Sequence, residues 1–288
     1  MEALFSAREL RVDERGAPAI DGLTVDTRGE RVIILGAPRT LFDATSGMRR
    51  PARGDLKIFG EAAAAALDAN RLAGAQLDPP LPPTWSPFAY AEWSARLVGH
   101  PRADAQRLAL DALTRLRMEG IGTIPFRVAP PNVRRAAVIA GALATSAPVI
   151  VFEDPAIGLP DEIGRALGQR VRDAIAQRRW IMFGGRAPLD APLVSAAEEV
   201  VVLDAGRVVA QGDPTDLAQH ERMVAVRVAG ATDAFAALAR ERGAEVWGDG
   251  AHLTIELTGE LRTRDLLEIA TESNAVVVEI RPLARAFA

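Results

Sequence analysis

Residues 31–38 read RVIILGAP and residues 148–155 read PVIVFEDP, two apolar runs that each end at a proline-bearing turn. Neither run alternates apolar with polar side chains. Short runs of this kind suit strands covered on both faces, as in parallel sheets flanked by helices. Helical stretches lie between and after them, and that order predicts an α/β sandwich.

The neighbouring segments extend this frame. LFSAREL (4–10) and LTVDT (23–27) alternate like half-buried strands, with the turn-rich DERGAPAIDG between them. TLFDATSGM (40–48) reads as helical, and RPARGDLKIFG (50–60) as a turn and a strand. AYAEWSARLV (89–98), ADAQRLALDALTRLRME (103–119) and VRRAAVIAGALATS (133–146) carry apolar residues at helical spacing. They form an inserted helical lobe over about 87–145. A helix over 161–178, the strand WIMF (180–183) and a helical stretch near 189–197 come next. EVVVLDAGRVVAQG (199–212) then reads as two strands about a tight Ala-Gly turn.

The pattern changes near 213–222. Beyond it the order is strand (223–229), helix (233–242), two strands (244–248 and 252–257), helix (262–273) and strand (275–282). This βαββαβ order is that of a split, ferredoxin-like unit. The expected division is a first domain over 1–217 and a small α+β domain over 218–288.

Composition narrows the function. The net charge of −4 leaves no basic face for nucleic acid. There is no cysteine, and the three histidines, His100, His220 and His252, are far apart, so no metal site is expected. No apolar run reaches the roughly 18 residues of a membrane span. The first residues, MEALFSARELRVDERG, lack a basic region followed by an apolar run, so no signal peptide is expected and the default location is the cytoplasm. Lys57 is the only lysine; every other basic side chain is arginine or histidine.

Three segments, in order, carry a family resemblance: RRPARGDLKIFG (49–60), VIVFEDPAIGLPD (149–161) and VVVLDAGRVVAQGDP (200–214). They resemble the strand after the phosphate-loop helix, the Walker B strand with its following loop, and the hairpin after the switch histidine in ATPase subunits of ATP-binding-cassette transporters. The C-terminal unit narrows the resemblance to exporters of the second type, whose ATPase subunits often carry such a domain. The implied fold is a P-loop NTPase-like cassette with a helical lobe and a C-terminal ferredoxin-like domain.

The residues that do the family's chemistry are absent from the matching positions. A phosphate loop, G-x-x-x-x-G-K-[ST], places six residues between its first glycine and its hydroxyl residue, and its lysine reaches the β and γ oxygens. Here Gly36 is followed by Ala37, Pro38, Arg39 and Thr40, so three residues intervene. The second glycine and the lysine are missing, and Pro38 removes a backbone N–H. Lys57 lies in the next strand and cannot substitute. Arg39 and Thr40 could alternatively hold a smaller anion at the helix start, or simply form a turn and cap. The early loop RVDERGAP (11–18) lacks the aromatic residue that stacks adenine in the family.

The resemblance also implies an aspartate for magnesium and then a glutamate as base. This chain has Glu153 then Asp154, the reverse order. A carboxylate shortened by one methylene retracts by roughly 1 Å, which costs about two orders of magnitude in rate. The glutamine after the third strand corresponds to Asp78, the switch histidine to Arg186, and the aspartate of the loop after Walker B to Pro160. Arginine does not titrate near neutral pH as histidine does. The signature motif corresponds to Ala129, Pro130, Pro131, Asn132 and Val133, where two prolines remove two donors.

The implied function is a non-catalytic subunit of an export complex, peripheral on the inner face of the membrane through a permease. Its other partner would be a competent ATPase or a second copy. ATP and magnesium are expected only in an intact partner. The aromatic residues Trp85, Phe88, Tyr90 and Trp93 occupy the neighbourhood that receives a permease coupling helix in the family; Phe88 and Trp93 equally suit the core of the helical lobe, and Trp85, within a proline-rich loop, is the best interface candidate. Two other functions fit the same residues: a weak ATPase working through Glu153 and Asp154, and a soluble scaffold that reuses the fold.

Overall fold

The computed structural model describes residues 2–188, 190–219, 223–259 and 261–282. His220 and Arg222 in the linker, and the chain beyond Pro282 in the expected second domain, lie outside the described residues, as does Leu189 at the start of the expected 189–197 helix.

The chain opens with a long hairpin, β1 (Phe5–Glu14) and β2 (Ala17–Asp26). The stretch read as turn-rich is mostly strand, and the reversal is confined to Arg15 and Gly16, both at positive φ. Then follow β3 (Arg31–Leu35), α1 (Arg39–Thr45), β4 (Arg53–Ile58), β5 (Glu61–Ala62), α2 (Ala63–Asp68) and β6 (Leu72–Ala75). Helices α3 (Pro87–Leu97), α4 (Arg102–Arg115) and α5 (Pro131–Ala144) pack against one another. The next elements are β7 (Val149–Glu153), α6 (Asp161–Ile175) and β8 (Arg179–Gly184). In place of a helix over 189–197 the structure has one 3-10 turn at Val194–Ala196. Pro188 and Pro192 break that segment, which sequence periodicity alone does not weigh.

β9 (Glu199–Asp204) and β10 (Arg207–Gly212) form the hairpin about Ala205 and Gly206, both at positive φ as a type I′ turn needs. After α7 (Pro214–Gln219) come β11 (Met223–Gly230), α8 (Thr232–Glu241), β12 (Glu245–Asp249), β13 (His252–Glu256), α9 (Asp265–Glu272) and β14 (Ala275–Pro282). These last four strands form one antiparallel sheet in the order β12-β13-β11-β14.

The central sheet runs β10-β9-β3-β8-β7-β6, parallel except for β10. Successive residues of its strands feed opposite cores. Ile33, Leu35, Ile150 and Phe152 face the helical side. Val32, Ile34, Val149 and Val151 face the antiparallel sheet β2-β1-β4-β5 and α1. Burial on both faces is why these strands show no alternation in sequence. The strand order brings the carboxyl ends of β3, β8 and β7 side by side, and in open α/β sheets that edge is where sites are built.

Candidate functional site

β3 delivers Gly36 to the sheet edge at φ +70°, where a Cβ would lie 2.1 Å from the Leu203 carbonyl oxygen, so only glycine fits. The Gly36 N–H donates to the Gly185 carbonyl at 3.2 Å. Pro38 has extended backbone and precedes α1 without a side-chain cap, and the Leu41 N–H turns back to the Pro38 carbonyl at 2.9 Å. Between Gly36 and Leu41 the uncommitted backbone donors are those of Ala37, Arg39 and Thr40. Thr40 is buried, and its Oγ1 has no hydrogen-bond partner.

Arg39 reaches across to β7. Its Nη2 lies 3.6 Å from Glu153 Oε2, and its Nε lies 3.9 Å from Asp43 Oδ1. Glu153 also accepts the Leu77 N–H at 2.7 Å. Burial pushes the Glu153 carboxyl above its ordinary pKa, against the pull of the Leu77 N–H and of Arg39.

The adjacent carboxylate serves a different region. Asp154 N–H donates to the Phe183 carbonyl at 2.8 Å, and its Oδ1 accepts the Ala156 N–H at 2.9 Å. Burial raises its pKa as well. Asp154 lines a cavity of about 320 Å³ between α6 and the segment after β8. Arg186, expected from sequence at the switch-histidine position, lines the same cavity. It is exposed and makes no ion pair among the described residues.

Asp78 is held by Arg135, one turn into α5. Arg135 Nε and Nη2 donate to the two Asp78 oxygens at 3.1 and 2.8 Å. Arg135 Nη1 donates to the carbonyls of Pro155 and Ile157 at 3.1 and 2.6 Å. The Arg135 hydrogen bonds hold the Asp78 carboxyl below its usual range. One guanidinium thus ties the helical lobe, the loop after β6 and the loop after β7 together. No motif in the sequence singles out Arg135; its signal is an arginine set among buried small residues of an otherwise apolar helix face.

The residues expected at the signature motif, 129–133, surround the start of α5. Ala129 and Val133 are buried, and Pro130 and Pro131 open the helix. The N–H groups of Val133 and Arg134 both return to the Pro130 carbonyl, at 3.0 and 3.1 Å. Asn132 is left as the backbone donor free to face outward from that turn. Pro160 stands immediately before α6.

The four aromatic residues cluster on α3 and the loop before it. Trp85 and Trp93 meet edge-on at 5.6 Å, Tyr90 lies 5.9 Å from Trp93, and Tyr90 packs on Phe126 at 6.2 Å. Trp85, Phe88 and Tyr90 are half-buried against the main core, while Trp93 is 42% exposed. Trp85, Trp93 and the exposed Leu97 line an open groove with Glu92, Arg96 and Arg102.

No protein-family model matches the chain. It is 26% identical over 222 residues to the energy-coupling factor transporter ATP-binding protein EcfA of Methanothermobacter thermautotrophicus, covering 73% of this chain and 70% of that protein. It is 25% identical over 226 residues to the Nod factor export ATP-binding protein I of Ralstonia nicotianae, covering 76% and 70%. It is 28% identical over 234 residues to the hemin import ATP-binding protein HmuV of Streptomyces coelicolor, covering 75% and 80%. Among solved structures, cbiO1 of Clostridium perfringens, part of the ABC transporter complex cbiONQ, superposes with a TM-score of 0.63 at 20% identity, over 75% of this chain and 91% of that one. The chain therefore has the fold of ATP-binding-cassette ATPases and is related to ATP-binding subunits of such transporters.

Proposed function

We propose that this chain is a non-catalytic cassette subunit of a membrane transport complex, retained for structure or regulation rather than for ATP turnover. The observation that carries this reading is the shortened turn after β3, whose arginine is already engaged with Glu153. A triphosphate is gripped by a run of backbone N–H groups and a lysine ammonium. Here three N–H groups remain, and Pro38 sits among them. Magnesium is no better served. The Arg39 guanidinium supplies positive charge beside Glu153, where a cation would have to sit. Across the expected dimer face, Pro130 and Pro131 leave a helix start with little to offer a γ-phosphate.

The C-terminal βαββαβ sheet supports assigning the chain to exporters of the second type. We read that sheet as the ferredoxin-like domain, beginning at about residue 218, and α3–α5 as the helical lobe. The Nod factor export relative agrees with that direction. The groove beside Trp85 and Trp93 would receive an amphipathic helix of the permease, which would hold the chain at the inner face of the membrane. No described helix is itself long and apolar enough to cross one. A competent ATPase or a second copy would complete the pair.

The test is steady-state ATP hydrolysis by the purified chain and by Asp154→Ala. The expected result is the same background rate for both. Turnover above background that is lost in Asp154→Ala would replace this reading with that of a weak ATPase.

A further inference from the structure

Three large apolar side chains stand open around the start of α5 and the start of α6. Val128, on the loop before α5, is 66% exposed; Ile157, after β7, is 45% exposed; Ile163, in the first turn of α6, is 43% exposed. The Arg135 bonds to the Pro155 and Ile157 carbonyls fix the start of α5 beside the loop after β7. A groove of about 480 Å³ runs between them, with Leu81, Phe126, Arg127, Arg134, Gly158 and Leu159 in its walls. Gly158 and Leu159 also line the neighbouring cavity, together with Ile157 and Asp161. These residues form one strip of surface, with the start of α5 at one end, the start of α6 at the other and Gly158–Leu159 between them.

The charges along this strip are segregated. Arg127 and Arg134 are exposed at the α5 end, and Asp161 and Glu162 are exposed at the α6 end. None of the four makes an ion pair among the described residues. Arg134 is near enough to Asp78 to help lower its pKa, but Arg135 already donates to both Asp78 oxygens. Arg165, also at the α6 end, is paired with Asp190 at 2.9 Å. The start of α6 favours Asp161 and Glu162, yet a helix terminus supplies only partial positive charge.

A strip with a basic end, an acidic end and exposed apolar side chains is complementary to itself. A two-fold axis at Gly158–Leu159 lays each basic end on the acidic end of a second copy and brings the apolar side chains of the two copies together. We propose that two copies of the chain pair on this strip, Arg127 and Arg134 of one meeting Asp161 and Glu162 of the other, without nucleotide between them. The pairing rests on the reading of the chain as a cassette subunit that works in a pair, and it names a second copy as the other member.

The experiment is analytical ultracentrifugation of the purified full chain without nucleotide, at about 50 µM, where a dimer of micromolar affinity is populated. The natural chain should sediment as a dimer. Its dissociation constant should rise about tenfold or more between about 0.1 M and about 1 M sodium chloride, as the screening length falls from about 10 Å to about 3 Å. Val128→Arg, at a side chain with little packing to lose, should be monomeric. So should the double reversal Arg127→Glu with Arg134→Glu, and the double reversal Asp161→Arg with Glu162→Arg. An equal mixture of the two reversals should restore a dimer, because one then presents acidic ends and the other basic ends. A monomeric natural chain, a dimer unmoved in Val128→Arg or in either reversal, or folded reversals that stay apart when mixed would overturn the proposal. Sedimentation reads mass alone, so a monomer would remove this pairing and leave the test of ATP turnover untouched, whereas turnover above background would undo the non-catalytic reading without changing the mass.

Discussion

Arg39 Nη2 lies 3.6 Å from Glu153 Oε2, joining the start of α1 to the end of β7. In the proposed reading these two positions correspond to ones that face a magnesium ion and phosphates in a nucleotide-binding cassette. Here they face each other, and the Arg39 side chain is about half exposed. A contact of that kind contributes little stability, about 0–1 kcal/mol. Its meaning lies in what it occupies. Arg39→Ala should therefore change stability by less than about 1 kcal/mol, measured by urea unfolding.

Thr40 offers a cleaner test of the same turn. Its hydroxyl is buried and unpartnered, so its desolvation has nothing to offset it. Replacing it with the near-isosteric valine should be neutral or stabilising, by up to about 1 kcal/mol. A loss of 2 kcal/mol or more in Thr40→Val would mean that the hydroxyl has a partner in solution.

Arg135 is the residue whose removal should hurt most. Its side chain is only 10% exposed, and it serves two carbonyls besides Asp78. Arg135→Ala should cost about 2–4 kcal/mol, because it leaves the Pro155 and Ile157 carbonyls unmatched. Asp78, half exposed, should cost under about 1 kcal/mol as Asp78→Asn. Equal losses in the two variants would mean that Arg135 acts mainly through Asp78 and not through the two carbonyls.

Asp154 predicts a pH dependence. Burial raises its folded pKa, so the folded chain holds that proton more tightly than the unfolded one. Stability from this group is complete below the ordinary aspartate pKa of about 3.9 and is lost as pH rises through the raised folded value. Asp154→Asn should accordingly melt higher than the natural chain near pH 7, with the gain shrinking as pH falls toward 4. A gain that grows toward low pH would reverse the sign of the argument.

Trp93 tests the groove. It is 42% exposed and meets Trp85 edge-on and Tyr90 at a tilt, so Trp93→Ala should cost only about 1 kcal/mol in stability. It should nevertheless abolish co-purification with a membrane permease. Retained co-purification would move the docking surface elsewhere.

The parallel strands were legible because burial on both faces writes an uninterrupted apolar run, as in Val149–Phe152. The C-terminal order of strands and helices was legible because its helices and strands differ in period. The hairpin of β1 and β2 was read too short, since Gly22 and Pro18 look like turn residues but sit within β2. The expected helix over 189–197 failed on Pro192 within it and Pro188 just before it. At the site, what the turn after β3 lacks could be counted from residues 36–40. What replaces it could not. Arg39 meeting Glu153, and Arg135 bridging three segments, depend on packing between elements far apart in sequence, and no local pattern records that.

Whether the turn after β3 can hold a nucleotide is decided by isothermal calorimetry of the purified chain with MgATP, paired with a thermal melt at millimolar nucleotide. The expected outcome is no saturable heat and no change in Tm. A dissociation constant in the micromolar range would contradict it, because ligand at 100 times that constant should add about 2.7 kcal/mol of stability and a plain upward shift in Tm.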